Sequence, residues 1–224
     1  MRLLLLVCLL FLGTLSHAED QAKVSYFKIS HNLYKSVCIL GIEGTITPVT
    51  ANLFKEKLTN PSKKCEKIAP VVSVGASVGG DVQAAMEIAE LIMSNDFSTM
   101  IWQRPMFSEN RYLDQHCLSS CALIFASGKE RYFPDISENN ILGIHKPEFL
   151  QKRQDTVKAE MELDRVKYDF IDVFNNNSID PNFTITMFET KFEDIYYPKI
   201  RELLLWRVIT SFEKPPSFTQ LITN

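Results

Sequence analysis

Ser120 and His145 are the residues of this chain whose types and placing could do chemistry. Ser120 lies in Cys117-Leu118-Ser119-Ser120-Cys121-Ala122-Leu123-Ile124-Phe125, and His145 in Ile141-Leu142-Gly143-Ile144-His145-Lys146-Pro147. A hydroxyl at the start of an apolar helix and an imidazole at the end of an apolar strand are the parts from which an acyl-transfer site is built, one as nucleophile and one as general base. Upstream, Ser77-Val78-Gly79-Gly80-Asp81 is a glycine turn. Gly79 there allows close approach to a substrate carbonyl. The N–H of Gly80, with that of Cys121 in the first turn of the serine helix, would hold an oxyanion. An acid should orient the imidazole. Glu189, Glu193 and Asp194 are the candidates, and their pattern does not choose among them. Each residue has an ordinary structural role open to it, and only the combination points to a hydrolase. The glycine turn matches neither a phosphate-cradling loop nor a dinucleotide turn.

The elements that would position these residues alternate. Apolar, β-branched runs predict strands over 34–42, 69–76, 98–102, 130–133 and 141–145. Thr47-Pro48 reads as N-cap and first residue of a helix running to about Thr59. Ala85, Ile88, Ala89 and Ile92 recur at helical spacing within a helix over 82–94. A polar loop over 104–116 precedes an apolar helix over 118–127 that ends at Gly128. A long charged helix over 148–174 and two more over 183–192 and 198–206 follow, with Val208-Ile209-Thr210 as a last strand. The expected class is α/β with a mainly parallel sheet and a helical C-terminal part.

The chain has 224 residues, 46% apolar content and a formal net charge of −3, enough for one domain of good size. No Lys/Arg-rich block supports nucleic-acid binding. Residues 1–18 read as a secretory signal peptide: Met1-Arg2, the apolar run Leu3 to Leu12, and a small-residue cleavage signal at Ser16-His17-Ala18. Residues 19–33 then form an extension, 34–212 the domain and 213–224 a tail. The expected location is periplasmic or secreted. Cys38, Cys65, Cys117 and Cys121 remain after cleavage, and an even count in an exported chain invites disulfides. Four cysteines allow three pairings. The local one, Cys38–Cys65 with Cys117–Cys121, is preferred because residues four apart on a helix lie within bridging range.

The same segments carry a family resemblance. Ser77-Val78-Gly79-Gly80-Asp81-Val82 resembles the Ser-Pro-Gly-Gly turn and helix of the Clp protease proteolytic subunit and its relatives in the crotonase-like superfamily. Cys117 to Gly128 resembles the family's nucleophile helix, and Ile144-His145-Lys146-Pro147 its Ile-His-Gln-Pro. The resemblance covers about residues 34–210 and is narrowest with exported bacterial proteins of that group. It implies a ββα-superhelix fold, Ser120 as nucleophile, His145 as base, Asp194 as the acid, and oxyanion N–H groups from Gly80 and Cys121. It also implies a homo-oligomer, formed through the long helix after His145. Val78 replaces the family's proline, and Cys117 and Cys121 bracket the serine where the family has small or apolar residues.

The leading expectation is therefore an exported serine hydrolase, a peptidase acting on peptide or protein substrates. It needs no cofactor and no metal. No ATPase partner is expected, since an exported protein has no ATP supply. The alternative is a binding protein that keeps the fold and groove without a competent triad. A third reading, zinc on His116, Cys117 and Cys121, suffers from the adjacency of His116 and Cys117 and the lack of a fourth ligand.

Overall fold

Short apolar strands, buried on both faces, build the central sheet. The computed structural model describes residues 23–29, 36–101, 116–133, 140–148 and 156–212. The expected leader over 1–18, most of the loops over 104–116 and 134–140, and the tail over 213–224 lie outside the described residues. Five strands form one sheet: β1 (Lys23–Ile29), β2 (Val37–Glu43), β3 (Lys67–Val74), β4 (Ser98–Ile101) and β6 (Arg131–Tyr132), in the order β1-β2-β3-β4-β6. β1 is antiparallel to β2, and all the other pairings in this sheet are parallel. Two short strands, β5 (Cys117–Leu118) and β7 (Leu142–Gly143), pair in parallel as a second small sheet.

β2 and β3 are apolar on both faces, as central parallel strands must be. Leu40, Ile42, Val72 and Val74 point into the larger core, and Val37, Ile39, Ala69 and Val71 into a smaller one across the sheet. The larger core is closed by α1 (Pro48–Thr59), α2 (Val82–Ser94) and α3 (Ser120–Ala126), with α2 packed between the other two. The starts of the first two helices are fixed locally. Thr47 and Thr50 cap α1 reciprocally around Pro48, and the Asp81 carboxylate accepts from the Ala84 N–H at 2.7 Å. α2 buries Ala85, Ile88, Ala89 and Ile92, the face read from the sequence. Three helices complete the chain: α4 (Thr156–Asn176), α5 (Pro181–Glu189) and α6 (Ile200–Leu205). The class is α/β, with a mostly parallel mixed sheet and a helical C-terminal part.

Three expectations change. Lys23–Ile29 lies within the expected extension but is a full edge strand, paired residue for residue from Lys23 with Glu43 to Ile29 with Val37. The helix expected from Leu118 starts at Ser120, because Cys117 and Leu118 are a strand and Ser119 a sharp turn. The strand expected at Val208-Ile209-Thr210 does not form. The carbonyls of Arg207 and Val208 are taken by Arg131, and only Ser211 makes a bridge, to Tyr132.

Arg131 is the largest fully buried side chain. Its guanidinium donates to four carbonyls: Gly128 at 2.6 Å, Arg207 at 2.8 Å, Val208 at 3.0 Å and Asn177 at 3.2 Å. These lie just beyond the C-termini of α3, α6 and α4. Helix ends leave carbonyls unpaired and carry partial negative charge, so three of them converging on one cation supply its counter-charge. Burial lowers the pKa to about 10, and the group stays charged at neutral pH.

Both disulfides of the local pairing are present. Cys38–Cys65 ties β2 to the loop before β3 across 27 residues, a closure that stabilises by about 3–4 kcal/mol on a chain-entropy basis. The bridges fit a chain matured in an oxidising compartment. No helix among the described residues is long and apolar enough to cross a membrane.

Replacing Arg131 by Met removes the cation and leaves the converging carbonyls without a donor. This should cost about 3 kcal/mol or more, read as a lowered denaturant midpoint. Arg131→Lys, with fewer donors and no fork, should fall between the two.

Candidate active site

Ser119 is a non-glycine residue in the left-handed region, at φ 56° and ψ −125°, where β5 turns into α3. Such a backbone costs of order 1–3 kcal/mol and persists only where its surroundings hold it. Here they do. The Ser119 N–H donates to the Gly143 carbonyl at 2.8 Å, locking the turn to β7. The Leu118 N–H donates to Ser77 at 3.0 Å, locking it to the glycine loop on the other side. Cys117 and Cys121 are bridged across the turn at a Cα separation of 5.1 Å. The pairing is the expected one but its geometry is not, because one cysteine is on a strand and the other on a helix.

The turn reverses the roles of the two serines. Ser119 lines a cleft of about 830 Å³ together with Gly79, Gly80 and His145. Ser120 does not. It is 4% exposed, and its hydroxyl is buried with no hydrogen-bond partner. Ser120, expected at the cleft, therefore lies away from it: at the first helical position its side chain falls on the buried side. The adjacent Ser-Ser pair was the visible signal, and the strand-to-helix turn that separates the two was not. Cys121 is likewise buried and lies outside the cleft lining, its sulfur held in the bridge. That bridge also removes both thiolates from the zinc reading.

The glycine loop is shaped to meet Ser119. Gly79 has φ +93°, and a β-carbon on it would lie 2.6 Å from the Ser119 β-carbon and 2.8 Å from the Leu118 carbonyl oxygen. Gly80 has φ +143°, and a β-carbon there would collide with the Ile46 carbonyl. Buried Ser77 braces the loop, donating to the Gly44 carbonyl at 2.6 Å and accepting from the Gly79 N–H at 3.2 Å. The Gly80 N–H has no partner among the described residues, and neither does the Ser120 N–H at the open end of α3.

His145 follows β7 directly and borders the same cleft. Its Nδ1 is 3.0 Å from the Lys146 carbonyl oxygen. A carbonyl only accepts, so Nδ1 carries the proton and Nε2 keeps its lone pair. The Phe192 ring stands edge-on to the imidazole, 5.1 Å between centroids. Partial burial lowers the pKa of His145, and the Lys146 carbonyl opposes this more weakly, so the ring is neutral at pH 7. Ser119 and His145 are not hydrogen-bonded to each other.

The carboxylate expected beside His145 is elsewhere. Asp194 is exposed in a turn where its N–H donates to the Lys191 carbonyl, and it makes no hydrogen bond or ion pair with His145. The turn explains this, since α5 ends at Glu189 and the segment that follows brings Phe192, not a carboxylate, against the imidazole. Glu193 is exposed at the cleft and Glu189 exposed on α5, neither bonded to the imidazole. A backbone carbonyl and an aromatic edge orient the ring instead, and neither leaves a pattern in a sequence.

A scan against models of known protein families and a search of curated proteins both find no match for this chain.

The imidazole should titrate with a midpoint below the ordinary histidine value of about 6.5. Asp194→Asn should leave that midpoint in place, as followed by NMR of the His145 ring protons. An acid positioned on Nδ1 would instead hold the midpoint up, and the substitution would then lower it.

Proposed function

We propose that this chain is a serine hydrolase acting on peptides, with Ser119 as nucleophile, His145 as general base, and the N–H groups of Gly80 and Ser120 as oxyanion donors. The observation that carries the reading is the left-handed Ser119 turn, which faces the cleft shared with His145 and Gly79-Gly80. A strained strand-to-helix turn of this kind exposes a hydroxyl while setting helix N–H groups beside it. Nε2 would take the Ser119 proton as Oγ attacks the carbonyl carbon, and return it to the leaving amine as the acyl-enzyme forms. Water would then repeat the cycle on the ester. A neutral, partly buried imidazole suits a general base. The ordering of glycine turn, serine helix and histidine supports a Clp-subunit or crotonase-like ββα superhelix as the specific fold. Two disulfides support export, to a periplasm or outside the cell, and the peptidase reading needs no metal or cofactor.

One observation favours a second reading. With no carboxylate on Nδ1 and no serine–histidine hydrogen bond, the chain would be a binding protein that keeps the groove but not the reaction. Serine–histidine bonds are often long before substrate binds, so the hydrolase stands first.

A fluorophosphonate probe should label the wild type at Ser119, and Ser119→Ala should lose the label completely. Ser120→Ala should keep it and match or exceed wild-type stability, because the buried hydroxyl it removes makes no hydrogen bond. An unlabelled wild type would favour the binding protein. Labelling of Ser120 would restore the assignment made from sequence. Labelling should hold below pH 6.5 and decline as the pH falls through the lowered His145 midpoint, since the base must be neutral.

A further inference from the structure

The walls of the cleft differ in character from its floor. Val78 is 60% exposed, Ile195 40% and Phe192 38%, and all three line the opening. Apolar side chains left in water around a concavity mark a place where an apolar group is received. The charged lining is one-sided. Asp81, Glu148 and Glu193 border the cleft, and none of the described lining residues is lysine or arginine. Asp81 uses one carboxylate oxygen to cap α2. Glu148 and Glu193 have no partner among the described residues. Among the described lining residues, two carboxylates without a partner and one half-used one supply only negative charge, which low-dielectric walls focus.

We propose that the cleft selects peptides that carry a large apolar side chain beside lysine or arginine and rejects peptides rich in carboxylates. The apolar side chain would sit against Phe192, Ile195 and Val78, which brings the neighbouring carbonyl to Ser119. Basic side chains would reach Glu193 and Glu148 at the rim, through contacts that salt screens. This inference rests on the cleft as the substrate site of the hydrolase proposed above, but binding tests it without turnover.

The probe is a pair of rhodamine-labelled, end-capped peptides with a Leu-Phe centre, one flanked by lysines and one by glutamates. Each is titrated by anisotropy into full-length Ser119→Ala protein. The lysine peptide should bind about tenfold or more tighter at low salt, with the preference shrinking at 0.5 M NaCl. Glu193→Lys should abolish most of the preference, while Ile195→Ser should weaken both peptides alike. Equal binding, a preference for glutamate, or no binding of either peptide overturns the proposal. Fluorophosphonate labelling of the wild type separates the two ideas. Labelling without a charge preference sinks the selectivity alone, and a preference without labelling leaves it standing on a binding protein.

Discussion

One buried cation sets the frame of this molecule. Arg131 draws the C-terminal ends of α3, α4 and α6 onto a single guanidinium at the start of β6. The three helices come from distant parts of the chain, and no carboxylate is needed to hold them. Their orphan carbonyls would otherwise be buried without donors, a cost comparable to losing several hydrogen bonds. The same contact anchors the site from behind. α3 is only seven residues long and fully buried, with the Arg131 contact just past one end and Ser119 at the other. Fixing the far end of so short a helix fixes the direction of its first turn.

The candidate site is an assembly of ends. β3 runs out into the glycine loop, β5 into the Ser119 turn, and β7 into His145. In parallel sheets the carboxyl edge is where loops converge and ligands are held. The small β5–β7 sheet matters more than its size implies. The Ser77 bridge flanks one side of β5, and the Gly143 carbonyl holds the first residue after it. Ser119, the glycine loop and His145 are thereby placed through backbone hydrogen bonds, which side-chain substitutions barely touch. Only the acid position depends on a loop, and the loop does not deliver one.

The strength of each local signal governed how much of this was legible in sequence. α2 was readable because Ala85, Ile88, Ala89 and Ile92 repeat at helical spacing between an aspartate cap and a polar end. β1 was missed because its buried residues, Val24 and Phe27, face opposite sides of the sheet and leave no alternating pattern, and because it is ordered by pairing with β2, a partner that sequence does not reveal. The cleft-facing serine was read one position too late for a related reason. Cys117 to Phe125 is apolar except for Ser119 and Ser120, and a buried strand followed by a buried helix has no periodicity to mark the junction. At such a turn a single residue separates a hydroxyl in the cleft from one in the core. The disulfide pairing was legible, yet the helix geometry that recommended it is not the geometry present. The orientation of His145 was out of reach, since its partners are a neighbouring carbonyl and a ring from another loop.

The Cys117–Cys121 bridge has a consequence for the protein before it folds. Its ring contains only five residues, so by chain entropy it adds about 2 kcal/mol, less than the longer bridge. That effect acts on the denatured ensemble. Once oxidised, the segment 117–121 stays cyclised however far the rest of the chain unravels. The positive-φ backbone of Ser119 is therefore sampled from a restricted set of loop conformers rather than from an open chain. A chain that meets an oxidant early would carry the scaffold of its Ser119 turn into folding as a covalent seed, and would lose that advantage in a reducing cytosol.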